Sequence, residues 1–166
     1  MQIETPIDWD APCERPIKEF PMYSARLKTI DYESIIRAGQ DWKDESFPTA
    51  QTSLLDSDIR KESRHQRWES FSWKRPVEVY GEGRFVLYGE PGPNDIKQGR
   101  CGDCYFLASL SALAEFPDRI KRIFLTKDVN EAGCYAVQMY INGEKRTVVV
   151  DDYFPYDDET ETWAFS

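Results

Sequence analysis

Residues 98–116 read QGRCGDCYFLASLSALAEF, and this stretch decides the fold class. From Cys104 to about Phe116, small and large apolar residues occupy every side of a helix. A helix that is apolar all round is a buried one, and Pro117 marks its end. We therefore predict a central buried helix beginning at Cys104. The strand patterns that follow it place the chain in the α+β class.

Cys104 opens this helix directly after Gly102 and Asp103. The positive end of the helix dipole stabilises a thiolate, which is the reactive form of cysteine. Attack on an amide also requires donors that hold the developing oxyanion. The side chain of Gln98, six residues earlier, can swing toward the thiol and form an oxyanion hole with the backbone N–H of Cys104. Papain-type enzymes use this arrangement.

The residues around Cys104 belong to a longer sequence pattern. Residues 93–108, PNDIKQGRCGDCYFLA, closely resemble the nucleophile motif of calpains, which runs roughly D-I-x-Q-G-x-L-G-D-C-W-F-L-A. Cys101 stands where that family usually has leucine, and Tyr105 where it has tryptophan; the wider papain group also permits tyrosine. The resemblance covers about residues 31–166. Its other matching segments are Phe47-Pro48, Ser53-Leu54, Trp73-Lys74-Arg75-Pro76 and Val148-Val149-Val150-Asp151-Asp152.

The resemblance implies a fold and a catalytic pair. The fold would be the papain-like N-terminal subdomain of a calpain protease core, with a central helix and a β-hairpin. Residues 31–166 would form this incomplete catalytic domain, and residues 1–30 an extended arm rich in proline and aromatic residues. Cys104 carries over as the nucleophile and Gln98 as the oxyanion donor.

The resemblance also implies a calcium site in this half of the core. Asp95 would provide a side-chain ligand, and Tyr88 and Glu90 would provide backbone carbonyls. Calcium requires six to eight oxygen ligands, and a further glutamate ligand of the family would fall beyond Ser166. The acidic residues from 151 to 161 do not complete the site, because such a run is ordinarily a solvated charged loop.

The catalytic base is missing from the chain. Papain-type enzymes place a histidine and an orienting asparagine roughly 130–150 residues after the cysteine. The single histidine, His65, precedes Cys104 and lies in a charged run between Arg64 and Gln66. We therefore predict that this 166-residue chain is inactive as a protease by itself.

Local signals outside the central helix predict three further elements. Asp31 and Gly39 are suitable caps for a short amphipathic helix. Asp118 is expected to cap a second short helix that continues to Phe124. Asn142-Gly143 is a strong hairpin signal; it separates two β-rich runs, 134–141 and 145–150.

Composition narrows the class of protein. The chain has a formal net charge of −9, which argues against binding the phosphate backbone of nucleic acids. It contains no run of about 18 apolar residues and no secretion signal at its N-terminus. The expected location is therefore cytoplasmic, where the four cysteines would remain as free thiols.

Three functions remain open at this point. The first is a piece of an active calpain-like protease. The second is a non-catalytic scaffold or binding component of a larger, cytoskeletal assembly, which would be contacted through the arm and the uncovered face of the core. The third is a thioredoxin-like redox pair, Cys101 and Cys104, which fits less well because no strand leads directly into the helix. Zinc is weaker still, since there is no second ligand pair.

Overall fold

A computed structural model describes residues 29–54, 68–96, 104–141 and 143–165 of the chain. These residues form a mixture of helices and antiparallel strands, as the α+β prediction requires. The helices are α1 (Tyr32–Ala38), α2 (Pro76–Tyr80), α3 (Cys104–Ala114) and α4 (Pro117–Ile123), with short 3₁₀ turns at Gln51–Ser53 and Pro93–Asp95. The strands are β1 (Ser72–Lys74), β2 (Cys134–Ile141), β3 (Glu144–Asp151), β4 (Phe154–Asp157) and β5 (Thr162–Trp163).

Strands β2 and β3 form the predicted hairpin. They pair antiparallel from Cys134 opposite Asp151 to Ile141 opposite Glu144. Gly143, in the connecting turn, has a φ of 80°, a left-handed conformation that favours glycine. Asn142, the other turn residue, lies outside the described residues.

Helix α1 covers the hairpin and has the caps that its sequence predicts. The side chain of Asp31 accepts a hydrogen bond from the backbone N–H of Ser34, and Gly39 ends the helix with a φ of 62°. The helix packs against a small buried core supplied mainly by the hairpin. That core consists of Ala132, Cys134, Ala136 and Val149, with Ile30, Tyr32, Ile35, Ile36, Trp42 and Leu125 packed around it.

The acidic segment after β3 is structured, contrary to the expectation of a solvated loop. Strands β4 and β5 join β1 in a three-stranded antiparallel sheet of order β1-β4-β5. Asp152 and Asp157 are buried within this region. The prediction failed because charge patterning is local, whereas β4 is held by pairing with β1, about 80 residues earlier in the chain.

Helix α3 is present where the sequence predicts it, but the prediction that it is buried was wrong. Ala114 is its one buried residue, and the side chains of Tyr105 and Phe106 are 77% and 42% exposed. Within the described residues α3 packs mainly against α4 and the 3₁₀ turn at Pro93–Asp95. These two neighbours cover one side of a helix that is apolar on all sides.

A smaller correction concerns α4. The helix begins at Pro117, so Asp118 lies in its first turn rather than at its cap. Proline suits the first helical position because its missing N–H would have no partner there. None of the helices in the described parts of the chain is long and apolar enough to span a membrane.

Candidate active site

Cys104 is the first residue of α3, and its thiol is free and exposed. The backbone N–H groups of a first helical turn have no partner within the helix, so they favour negative charge nearby. The helix continues for 11 residues, long enough for its dipole to act at this end. The arrangement presents an exposed thiol at the described start of a helix, where it is accessible to a reactant.

Gln98, the predicted oxyanion donor, lies outside the described residues, as do Cys101 and the single histidine, His65. The oxyanion role of Gln98 therefore stays a prediction from the motif, as does the redox pairing of Cys101 with Cys104.

The three residues predicted to bind calcium lie near one another in sequence but are engaged by protein groups. Glu90 Oε1 accepts a hydrogen bond from Lys121 Nζ on α4 at 2.9 Å, and Asp95 Oδ2 accepts one from the backbone N–H of Gly92 at 2.8 Å. The ring of Tyr88 packs against Phe124, with centroids 5.1 Å apart.

Across the described residues, no group of three or more His, Cys, Asp or Glu side chains is arranged to hold a metal ion. A lysine ammonium already faces the Glu90 carboxylate. The described side chains alone therefore do not form a calcium site. The predicted arrangement, which combines the Asp95 side chain with the backbone carbonyls of Tyr88 and Glu90, stays a prediction from the resemblance.

Two of the matching sequence segments meet in an ion-pair network around Arg75. Its guanidinium donates to Asp152 through Nε (2.6 Å to Oδ1) and Nη2 (3.3 Å to Oδ2). Nη1 donates to Asp41 Oδ1 at 3.0 Å, and Nη2 also donates to the carbonyl of Glu131 at 3.1 Å. The Tyr153 hydroxyl donates to the other Asp41 oxygen at 2.9 Å. Arg75 therefore ties the start of α2, the segment before β2 and the segment after β3 together.

Gly133 allows this network to form. It has a φ of 64°, and a Cβ atom at this position would collide with Asp152 Oδ1 and with Arg75 Nη2. Only a residue without a side chain lets the ion pair approach the backbone this closely. The role of the network is structural, because it holds the end of the hairpin against the start of α2.

The second described cysteine, Cys134, has an environment opposite to that of Cys104. It is fully buried at the start of β2, and burial, together with the nearby carboxylates of Asp151 and Asp44, raises the pKa of its thiol to about 11. Asp151 Oδ2 accepts the backbone N–H of Asp44 at 2.8 Å, which holds the two acids beside the strand. Burial also raises the pKa of Asp151. Cys134 is consequently a protonated core residue.

The sequence reasoning missed the Arg75–Asp152 pair, although both residues lay in segments that it identified. The available signal was charge: one segment contains a basic residue before a proline, and the other contains two consecutive acids after an apolar strand. Their pairing joins positions 77 residues apart, and a single sequence does not show which distant charges meet.

Comparisons with known proteins agree with the motif. Residues 42–166 match the family model described as calpain family cysteine protease. The chain is 35% identical over 124 residues to the calpain-type cysteine protease DEK1 of Arabidopsis thaliana, covering 72% of the chain and 6% of that protein. It is 33% identical over 164 residues to the calpain-type cysteine protease ADL1 of Oryza sativa subsp. japonica, covering 90% of the chain and 7% of that protein. It is also 33% identical over 135 residues to the calpain-2 catalytic subunit of Rattus norvegicus, covering 77% of the chain and 19% of that protein. The chain thus spans a small part of the length of these relatives.

Proposed function

The chain belongs to the calpain family of cysteine proteases, and from this premise we propose that it supplies the nucleophile half of a core that hydrolyses peptide bonds. The observation that carries the proposal is the exposed, free thiol of Cys104 as the first residue of α3. Residues 31–166 would be this half of the core, and residues 1–30 an arm attached to it.

The proposed chemistry begins with the Cys104 thiolate, whose sulfur attacks the carbonyl carbon of the scissile peptide. The carbonyl π bond opens, and the negative charge moves to the oxygen. The backbone N–H of Cys104 and the side-chain amide of Gln98 would donate hydrogen bonds to that oxygen. Collapse of the intermediate expels the amine, which must receive a proton from a general acid.

The 166-residue chain contains no histidine that is suitable as this general acid and base. His65 comes 39 residues before Cys104 in a run of charged residues, and it matches no position of the family's motif. Without proton transfer, the amine is a poor leaving group and hydrolysis slows by several orders of magnitude. We expect the chain expressed alone to be inactive and to need a histidine-bearing part supplied by further sequence or a second chain.

Casein hydrolysis by the purified 166-residue chain, with and without millimolar calcium, tests the proposal. No cleavage above that of the Cys104→Ala variant is expected. Mixing with the histidine-bearing half of a related calpain core should restore cleavage to the wild-type chain and not to the variant. Calcium-dependent cleavage by the chain alone, lost in Cys104→Ala, would contradict the proposed inactivity. Failure of every complementing half would contradict the nucleophile role.

A scaffold function is the second candidate, and the exposed apolar side of α3 favours it. Tyr105 and Phe106 on α3 and Phe116 just after it are all exposed, and large exposed apolar side chains that group together commonly mark an interface. A non-catalytic component of a cytoplasmic or cytoskeletal assembly would use this surface together with the arm. Sedimentation velocity at increasing concentration tests for association, and Tyr105→Lys should weaken it. A stable monomer at high concentration would count against this candidate.

Calcium regulation stays a prediction that rests on the resemblance. The predicted ligands are the Asp95 side chain and the backbone carbonyls of Tyr88 and Glu90, so the contact of the Glu90 carboxylate with Lys121 leaves the predicted ligand atom of Glu90 available. The melting temperature of the chain with calcium and with a chelator is the direct measurement. A calcium-induced rise that disappears in Asp95→Asn would support the predicted site.

A further inference from the structure

Helix α4 is anchored to the hairpin at its C-terminal end. Phe124, the residue after the helix, forms a β-bridge with strand β2. The next residue, Leu125, donates its backbone N–H to the carbonyl of Ala136 at 2.9 Å. Lys127 Nζ donates to the carbonyl of Lys121 at 2.7 Å, which gives a carbonyl in the last turn of the helix a partner. These bonds hold the last turn of α4 at a fixed place beside β2.

Two contacts join this end of α4 to the segment of residues 88–96. Lys121 Nζ donates to Glu90 Oε1 at 2.9 Å, and the ring of Phe124 packs against that of Tyr88 with centroids 5.1 Å apart. The bond to Glu90 raises the pKa of Lys121, so its ammonium group stays charged throughout the neutral pH range. An ion pair and an aromatic contact from the same end of α4 therefore act on one short segment.

The same segment contacts the helix that carries Cys104. Its 3₁₀ turn, Pro93–Asp95, packs against α3, and α3 also packs against α4. The turn is internally bonded, because Asp95 Oδ2 accepts the backbone N–H of Gly92 at 2.8 Å and the backbone N–H of Asp95 donates to the carbonyl of Gly92 at 3.1 Å. Helix α3, the turn and α4 thus support one another, and Lys121 links the last two.

We propose that Lys121 is a positioning residue for the Cys104 thiol, because it holds the 88–96 segment against α4 and thereby supports α3. This inference rests on the proposed function, in which Cys104 is the nucleophile. The role of Lys121 is indirect, since it acts through Glu90 and the 3₁₀ turn that packs on α3. The ion pair is partly exposed, with the side chains of Lys121 and Glu90 33% and 83% accessible. Exposed ion pairs contribute modestly, so the expected effects are about threefold.

Hydrogen exchange of the full chain, followed by peptide mass spectrometry, tests the role of the ion pair directly. The two hydrogen-bonded amides at the 3₁₀ turn report on the 88–96 segment, and peptides from 134–141 report on the hairpin. Lys121→Met keeps a side chain of similar length without its charge. It should raise exchange in the 88–96 and α3 peptides about threefold and leave the hairpin unchanged. Arg122→Met, at the neighbouring exposed base of α4, is the matched control and should change neither.

Reversal of the ion pair separates this specific contact from a general loss of charge. Lys121→Glu alone brings two carboxylates together and should raise exchange in the 88–96 peptides more than Lys121→Met does. Lys121→Glu combined with Glu90→Lys restores opposite charges at the same two positions and should return exchange to near the wild-type rate. Unchanged exchange of the 88–96 peptides in Lys121→Met, an equal change in the hairpin, or failure of the reversed pair to restore the rate would each overturn the proposal.

Hydrolysis of a fluorogenic peptide by the chain mixed with the histidine-bearing half of a related calpain core connects the ion pair to chemistry. Lys121→Met should lower kcat about threefold with KM unchanged, because the nucleophile is held less well while substrate binding is retained. The reversed pair should restore kcat. Unchanged kcat in Lys121→Met despite faster exchange would overturn the positioning role and leave the nucleophile role intact. Absence of cleavage by the wild-type mixture would instead contradict the proposed function, and the positioning role with it.

Discussion

The two described cysteines each begin a helix or a strand, and one is buried whereas the other is exposed. Cys134 starts β2 in the hairpin core, where it is fully buried beside two carboxylates. Cys104 starts α3 and is exposed at a helix N-terminus. Strand pairing, apolar packing and ion pairs shield the hairpin core from solvent. Helix α3, by contrast, is packed against neighbouring elements on one side. The position of a cysteine in the fold, and not its sequence neighbours alone, decides whether its thiol is reactive.

Thiol alkylation provides the largest expected contrast between the two regions. At pH 7.5 iodoacetamide should modify Cys104 on the order of 1000-fold faster than Cys134, because burial and a pKa of about 11 leave Cys134 almost without thiolate. Peptide mass spectrometry over time gives both rates in one sample. Unfolding in guanidinium chloride should reduce the difference to less than about tenfold. Comparable rates in the folded chain would show that the core around Cys134 opens readily.

The second-largest effect is expected from removing Arg75, which should lower the stability of the hairpin region. Arg75→Ala leaves the Asp152 carboxylate, whose side chain is 6% exposed, without its cation. Breaking a buried ion pair in this way costs about 3 kcal/mol in the free energy of unfolding.

Urea denaturation followed by tryptophan fluorescence measures the effect of Arg75→Ala. Lys74→Ala is the control, because it removes the neighbouring basic residue and its ion pair with Asp158 at the surface. The control should lose much less stability. Equal losses in the two variants would mean that the Arg75 network contributes no more than a surface contact.

A smaller effect is expected from alkaline pH. Because the pKa of Cys134 is raised from 9.0 to about 11 in the folded chain, the unfolded chain loses this proton first. The stability associated with the protonated thiol is complete below about pH 8.5 and is lost as the pH rises to 11. The loss amounts to about 2 kcal/mol.

Denaturation at pH 8 and pH 11 separates this contribution from that of the tyrosines. Cys134→Ala removes the thiol and keeps Tyr153, whose pKa is raised to about 12 by burial and by its bond to Asp41. The variant should lose about 2 kcal/mol less than the wild type over this interval. Identical losses would indicate that Cys134 is not the titrating group.

The elements that sequence predicts correctly depend on neighbouring residues. The caps at Asp31 and Gly39 and the hairpin turn at Asn142-Gly143 follow from local backbone preferences, and the structure bears out the helix and the hairpin. The apolar run that predicts helix α3 is also a run of consecutive residues, and the structure has a helix there. These features required only a few consecutive residues.

The features that sequence missed depend on distant partners. The pairing of β1 with β4 and the burial of Asp152 arise from residues that are far apart in the chain. The exposure of α3 could not be predicted either, because the apolar pattern shows that a helix needs covering but not which segment covers it. The roles of Gln98 and of the loop carrying Asp95 remain predictions from the motif.

Gly133 has a consequence for how this region tolerates sequence change. A Cβ atom there would collide with both the Asp152 carboxylate and the Arg75 guanidinium, so the ion pair can keep its place against the backbone only when position 133 is glycine. In a library containing all substitutions, selection for the folded state should enrich glycine at position 133 more strongly than any residue at position 75 or 152. A conservative replacement at either end of the ion pair weakens one contact, whereas a single methyl group at position 133 disturbs both partners together.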